Sequence, residues 1–126
     1  MKKTKWTTKN FFESFKCALN GIKYGFESQR NILIQMFFAI LVIALGVFFK
    51  ISPIEWIILS LTIAFVLFAE FVNTSIETTI DLITEEYNEK AKLAKDICAG
   101  AVLVSAINSV IVGLVIFAGR IINLIF

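Results

Sequence analysis

Residues 55–83 read EWIILSLTIAFVLFAEFVNTSIETTIDLI. The run is apolar as far as Phe68, then continues through Glu70, Asn73, Glu77 and Asp81 with no Gly or Pro to break it. A helix long enough to cross a bilayer is predicted here, with Trp56 at the membrane interface. Counted from Glu70, the four polar residues are offset by 0, 3, 7 and 11 positions. At about 100° per residue they fall near 0°, 300°, 340° and 20°, within an arc of about 80°. They form one stripe. A carboxylate at mid-membrane costs about 2.5–3.5 kcal/mol on insertion scales, so the stripe needs a cation, a proton or a water-filled site. A purely structural role, with protonated carboxyls bonded to a neighbouring helix, suits one lone Glu better than four aligned polar groups beside Lys95 and Asp96.

The rest of the chain has the same character. Of its 126 residues 58% are hydrophobic, only 17% are charged, 13 are Phe and none is His. The mean hydropathy of +0.83 leaves too little polar surface for a soluble globule. Residues 32–49, ILIQMFFAILVIALGVFF, form a first span, 55–83 a second, and 97–119 a third that ends before Arg120. The intervening 84–95 stretch is predicted to be a polar loop, with Lys95–Asp96 opening the last helix. The charged 31 residues ahead of the first span do not resemble a cleavable signal peptide. Seven basic residues precede the first span and three lie in 84–95; Lys50 and Arg120 alone fall on the other side. This asymmetry predicts a cytoplasmic N-terminus and 84–95 loop, with the C-terminus outside. The length fits one domain, 1–126, and without His any acid–base or metal chemistry rests on carboxylates, amides, Lys or hydroxyls.

Within the cytoplasmic 1–31 segment, Phe11, Phe15, Ala18, Leu19, Ile22 and Phe26 recur at helical spacing. The pattern predicts an amphipathic helix on the membrane surface, its lysines towards anionic headgroups. Cys17 and Cys98 form no CxxC pair and read as small buried residues. Ala101, Ser105, Ser109 and Gly113 make a small-residue stripe that allows close helix approach.

Depth separates the possible roles of the stripe. Asp81 is expected at the cytoplasmic surface, Glu77 one turn further in, and Glu70 about 10 Å deeper still. A carboxylate near the surface can hold Mg²⁺, which uses one or two carboxylates and substrate phosphates. A deeper one suits a general base. Asn73 can hold that base or the substrate by hydrogen bonds, and Lys95 can meet a phosphate. No GxxxxGK[ST] loop and no GxGxxG is present.

The run Glu70-Phe71-Val72-Asn73-Thr74-Ser75-Ile76-Glu77-Thr78-Thr79-Ile80-Asp81, with Ala94-Lys95-Asp96 and Ala99-Gly100-Ala101-Val102-Leu103 downstream, resembles the prokaryotic diacylglycerol kinase family. That family includes the undecaprenol kinases of Gram-positive bacteria. The similarity extends to Ser14-Phe15-Lys16, Gly21-Ile22, Arg30-Asn31 and Glu55-Trp56. It implies a homotrimeric kinase of the bacterial plasma membrane, with a surface helix and three spans per subunit and active sites at subunit boundaries near the cytoplasmic face. ATP is the implied donor, Mg²⁺ the implied metal, and a membrane lipid alcohol the implied acceptor, undecaprenol ahead of diacylglycerol; no nucleic acid is involved. By position Glu70 matches the family's base and Glu77 its magnesium ligand. Asn73, Lys95 and Asp96 match positions for catalysis or nucleotide binding, with Asp81 supporting. Glu86, Tyr87 and Asn88 match the loop that meets ATP. Asn10 and Cys17 fall where the surface helix approaches the nucleotide, with poorly matching side chains. Gln29 stands where the family often has a second metal-binding Glu; its amide can coordinate but lacks the charge. Gln35 and Asn88-Glu89 replace family histidines that the mechanism does not need as acids or bases. The rival readings are a small proton-coupled transporter, for which three spans and a charged loop are a poor match, and a catalytically impaired interaction protein.

Overall fold

The computed structural model describes residues 10–126. Four helices follow in order: α1 (Phe11–Ser28), α2 (Arg30–Phe49), α3 (Pro53–Ile83) and α4 (Glu89–Ile125). The described chain is all-helical, and α2, α3 and α4 are each long and apolar enough to cross a membrane. Lys2, Lys3, Lys5 and Lys9, part of the basic N-terminal count, lie outside the described residues.

Each boundary has a local cause. Asn10 caps α1, its Oδ1 accepting from the Glu13 N–H at 2.9 Å. Gln29 alone separates α1 from α2; its extended backbone, φ −112° and ψ 108°, ends one helix and starts the next. Lys50 closes α2 in the left-handed region at φ 51°, donating its N–H to Gly46 and Val47. Ser52 then caps α3 through the Glu55 N–H at 3.2 Å, with Pro53 preset for the first turn. Asn88 caps α4, its Oδ1 accepting from the N–H groups of Lys90 at 2.9 Å and Ala91 at 3.1 Å.

Two boundaries differ from the sequence expectation. The predicted 84–95 loop is a turn of Thr84 to Asn88 only, and α4 begins at Glu89 rather than at Lys95. Glu89-Lys90-Ala91-Lys92-Leu93-Ala94 are good helix formers behind an Asn cap, and their polarity marks a helix outside the apolar zone. At the other end α4 runs past 119 to Ile125. Arg120 does not stop it, because its guanidinium holds Glu55 through two bonds of 2.7 and 3.0 Å and also donates to the Ile116 carbonyl. Cys98 is buried as predicted, but Cys17 is exposed on α1.

The main packing is α3 against α4, with α2 alongside. Ile51, Leu59, Ile116 and Phe117 form the core at the end that carries Glu55 and Arg120, with Trp56 and Phe49 against them. Trp56 reaches into the space beside Gly46, where an added Cβ would stand 2.7 Å from its ring. At the far end α1 leans on α3: Phe26 meets Phe71 edge to face at 6.2 Å, and Phe71 fills the place of a Cβ on Gly25. The small-residue stripe is tight only in part. Ser105 is fully buried, but a Cβ on Gly113 would meet nothing. There α2 stands away from α4, leaving an apolar groove of about 470 Å³ over Ala39, Thr62, Val66, Ser109 and Gly113. Elsewhere the spans expose apolar side chains such as Phe37, Leu103 and Val115, as lipid contact requires.

Candidate active site

The polar stripe continues the buried face of α3. Leu59, Thr62, Val66, Glu70 and Thr74 recur at steps of three and four and are all buried. The threonines are self-sufficient: Thr62, Thr74 and Thr78 each donate to a carbonyl four residues back, at 2.7 to 2.9 Å. Glu70 is not. It is only 4% exposed, and no side chain among the described residues donates to its carboxylate.

Asn73, one turn on, carries the second anomaly. Its Oδ1 is buried without a hydrogen-bond partner, the one such side-chain atom among the described residues. An orphan of this kind costs about 1–3 kcal/mol, and a donor, water or cation from beyond the described residues would satisfy it. Glu77 follows at i+4 on the same face, half-buried. These are hard oxygen donors that fit Mg²⁺, which is satisfied by one or two carboxylates plus water and phosphate oxygens. Among the described residues no group of three or more acidic, Cys or His side chains gathers into a closed metal cage. Gln29 stands half-buried at the α1–α2 junction, where its side chain caps neither helix.

Below Glu77 the stripe opens into a groove of about 580 Å³ between the end of α3, the Thr84–Asn88 turn and the start of α4. Its lining gathers Asp81, Glu86, Tyr87, Asn88, Lys95 and Asp96, every one singled out in the sequence. Lys95 Nζ lies 2.6 Å from Asp81 Oδ1, and Lys92 Nζ lies 2.7 Å from Asp96 Oδ2. Asn88 has its Oδ1 committed to the α4 cap, leaving its amide nitrogen towards other partners. Asn10 and Cys17 do not join this groove: Asn10 caps α1, and Cys17 is exposed partway along that helix.

Sequence reasoning passed over two participants. Lys92 lines the groove and pairs with Asp96, a contact that the i, i+4 spacing could have indicated. Glu85 lines it too.

The arrangement is a buried carboxylate, an unpartnered amide oxygen and a second carboxylate along one face, opening on a polar groove that holds two lysines. It can take a proton, hold a hard cation and receive an anionic ligand. Residues 16–117 match the model described as "Prokaryotic diacylglycerol kinase". A diacylglycerol kinase of Synechocystis is 39% identical over 115 residues, covering 90% of this chain and 66% of that protein, just under two thirds. An undecaprenol kinase of Bacillus subtilis is 43% identical over 107 residues, covering 85% of this chain and 87% of that protein. A diacylglycerol kinase of Haemophilus influenzae is 29% identical over 96 residues.

Proposed function

The chain belongs to the prokaryotic diacylglycerol kinase family of membrane lipid kinases, and from that premise we propose that it transfers the terminal phosphoryl group of ATP to the hydroxyl of a membrane lipid alcohol. The observation that carries this reading is the juxtaposition on α3 of buried Glu70, the orphaned Asn73 oxygen and Glu77, above a groove containing Lys95. The acceptor hydroxyl lies against Glu70, which takes its proton as the new O–P bond forms; the bond to the β-phosphate oxygen breaks and ADP leaves. Asn73 and Glu77 are the oxygens that would hold Mg²⁺, which supplies charge neutralisation on the phosphates. Lys95 meets phosphate oxygens, and Glu86, Tyr87, Asn88 and Asp96 flank the rest of the nucleotide. Gln29, at the α1–α2 junction, offers a further amide oxygen for the metal, whereas Asn10 and Cys17 stay outside the groove.

Undecaprenol is the preferred acceptor, supported by the extent of similarity to the Bacillus enzyme; diacylglycerol is the second, supported by the cyanobacterial relative. The whole chain acts as one membrane-embedded kinase domain in a bacterial plasma membrane, with the groove facing the cytoplasm and the C-terminus outside. The basic residues flanking the groove end support that orientation. Three copies complete the site, a reading supported by how little of each span is covered within one chain.

The test is turnover in proteoliposomes with labelled ATP and Mg²⁺, offering each lipid separately. Phosphorylated undecaprenol is expected to form fastest and phosphorylated diacylglycerol more slowly. If neither product forms, the kinase reading fails; if diacylglycerol wins, only the acceptor preference does.

A further inference from the structure

The groove that would receive the nucleotide carries more negative than positive side chains on its lining. Four carboxylates line it, those of Asp81, Glu85, Glu86 and Asp96, against the two ammonium groups of Lys92 and Lys95. Both lysines are already engaged, Lys95 with Asp81 at 2.6 Å and Lys92 with Asp96 at 2.7 Å. A polyphosphate entering this space meets a surplus of negative charge and no free cation on the lining. Resting on the kinase reading, we propose that Asp81 is a surrogate anion: its carboxylate holds Lys95 in place until a nucleotide phosphate displaces it.

The geometry suits an exchange. The Asp81 side chain is 66% exposed and the Lys95 side chain 39%. The carboxylate can therefore swing into water and recover its hydration while the lysine stays against the protein. Lys95 stands on α4 and Asp81 on α3, so the contact crosses the two helices and spans the Thr84–Asn88 turn. Asp96 is itself paired with Lys92, one turn back on the same helix. An exposed pair of this kind is weak, and a phosphate that accepts charge-assisted bonds from the same ammonium outcompetes it. Before the exchange Asp81 preorganises Lys95; after it, Asp81 is a nearby like charge that favours release of the nucleotide.

The sign of one substitution decides the matter. Asp81→Asn removes the competing charge and leaves the shape. Equilibrium binding of Mg–ATP to protein in nanodiscs is expected to tighten two- to fivefold, with a matching fall in KM and no rise in kcat. Asp81→Glu keeps the charge and is expected to bind as the wild type does. In the Lys95→Ala background the Asp81→Asn gain should shrink below twofold. Weaker binding by Asp81→Asn, in protein whose melting temperature is unchanged, overturns the proposal, because a carboxylate that merely positions Lys95 or holds the metal gives that result. An equal gain with and without Lys95 also overturns it. Lipid phosphorylation is measured on the same samples: tightened binding without phosphorylation overturns the kinase reading and leaves the surrogate-anion contact standing. No binding of Mg–ATP by any variant overturns both.

Discussion

Glu70 and Asn73 are the residues on which the proposed chemistry turns. Both sit on the buried face of a helix that could have been filled with Leu or Ile, and among the described residues neither finds a hydrogen-bond donor for its side-chain oxygen. Buried groups of that kind survive where a ligand completes them. Glu70→Gln keeps the size and removes the proton acceptor; kcat for lipid phosphorylation is expected to fall by about 10²- to 10⁴-fold, with the KM for ATP little changed. A steady-state comparison in the same vesicles checks it, and a variant with near-normal kcat would dismiss Glu70 as the base. The stripe itself is legible in the sequence, because spacing at 100° per residue places Glu70, Asn73, Glu77 and Asp81 on one face whatever surrounds them. The orphaned oxygen of Asn73 is not. Burial depends on what a neighbouring helix brings opposite, and a single helix's sequence does not carry that information.

Among the elements, α1 has the most economical attachment. One extended residue, Gln29, joins it to α2, and its last turn rests on α3 through Gly25, Phe26 and Phe71. Phe71 neighbours Glu70 in the chain, so the seat of α1 and the setting of the buried carboxylate share a turn of helix. Gly25→Ala places a methyl group where the Phe71 ring lies. It is expected to destabilise the protein by about 1–3 kcal/mol through overpacking, and thermal unfolding in detergent measures the loss. Gly21→Ala, in open space on the same helix, is the control and should cost nothing or gain slightly from helix propensity. The three spans were legible as uninterrupted apolar runs, and α1 as an amphipathic period. The start of α4 was not, because charge marks where a segment leaves the lipid and says little about whether it stays helical. The ion pairs between α3 and α4 were equally hidden. Asp81 and Lys95 are 14 residues apart and Glu55 and Arg120 are 65 apart, and their meeting depends on the axial register of two helices.

Seen whole, the α3–α4 hairpin is pinned at both ends, by Asp81–Lys95 beside the groove and by Glu55–Arg120 beside the distal core. The two pins are 26 positions apart along α3 and 25 along α4, so the intervals between them nearly match. At 1.5 Å per residue each interval is about 38–39 Å, somewhat longer than a hydrocarbon layer of about 30 Å and close to a bilayer with its headgroups. The molecule thus carries a built-in thickness gauge with charged jaws. In an ordinary bilayer both jaws would sit among headgroups, with the polar groove at the water's edge. In a bilayer whose apolar layer exceeds about 35 Å they would be dragged towards hydrocarbon, a cost that tilting cannot relieve because tilt only shortens the projected interval. Thermal stability in vesicles of stepped acyl-chain length is expected to be level up to about that thickness and to fall beyond it; a continued rise with chain length would show that the jaws do not sense the bilayer. An organism that thickens its membrane would, on this account, also be adjusting how readily this protein holds its site together.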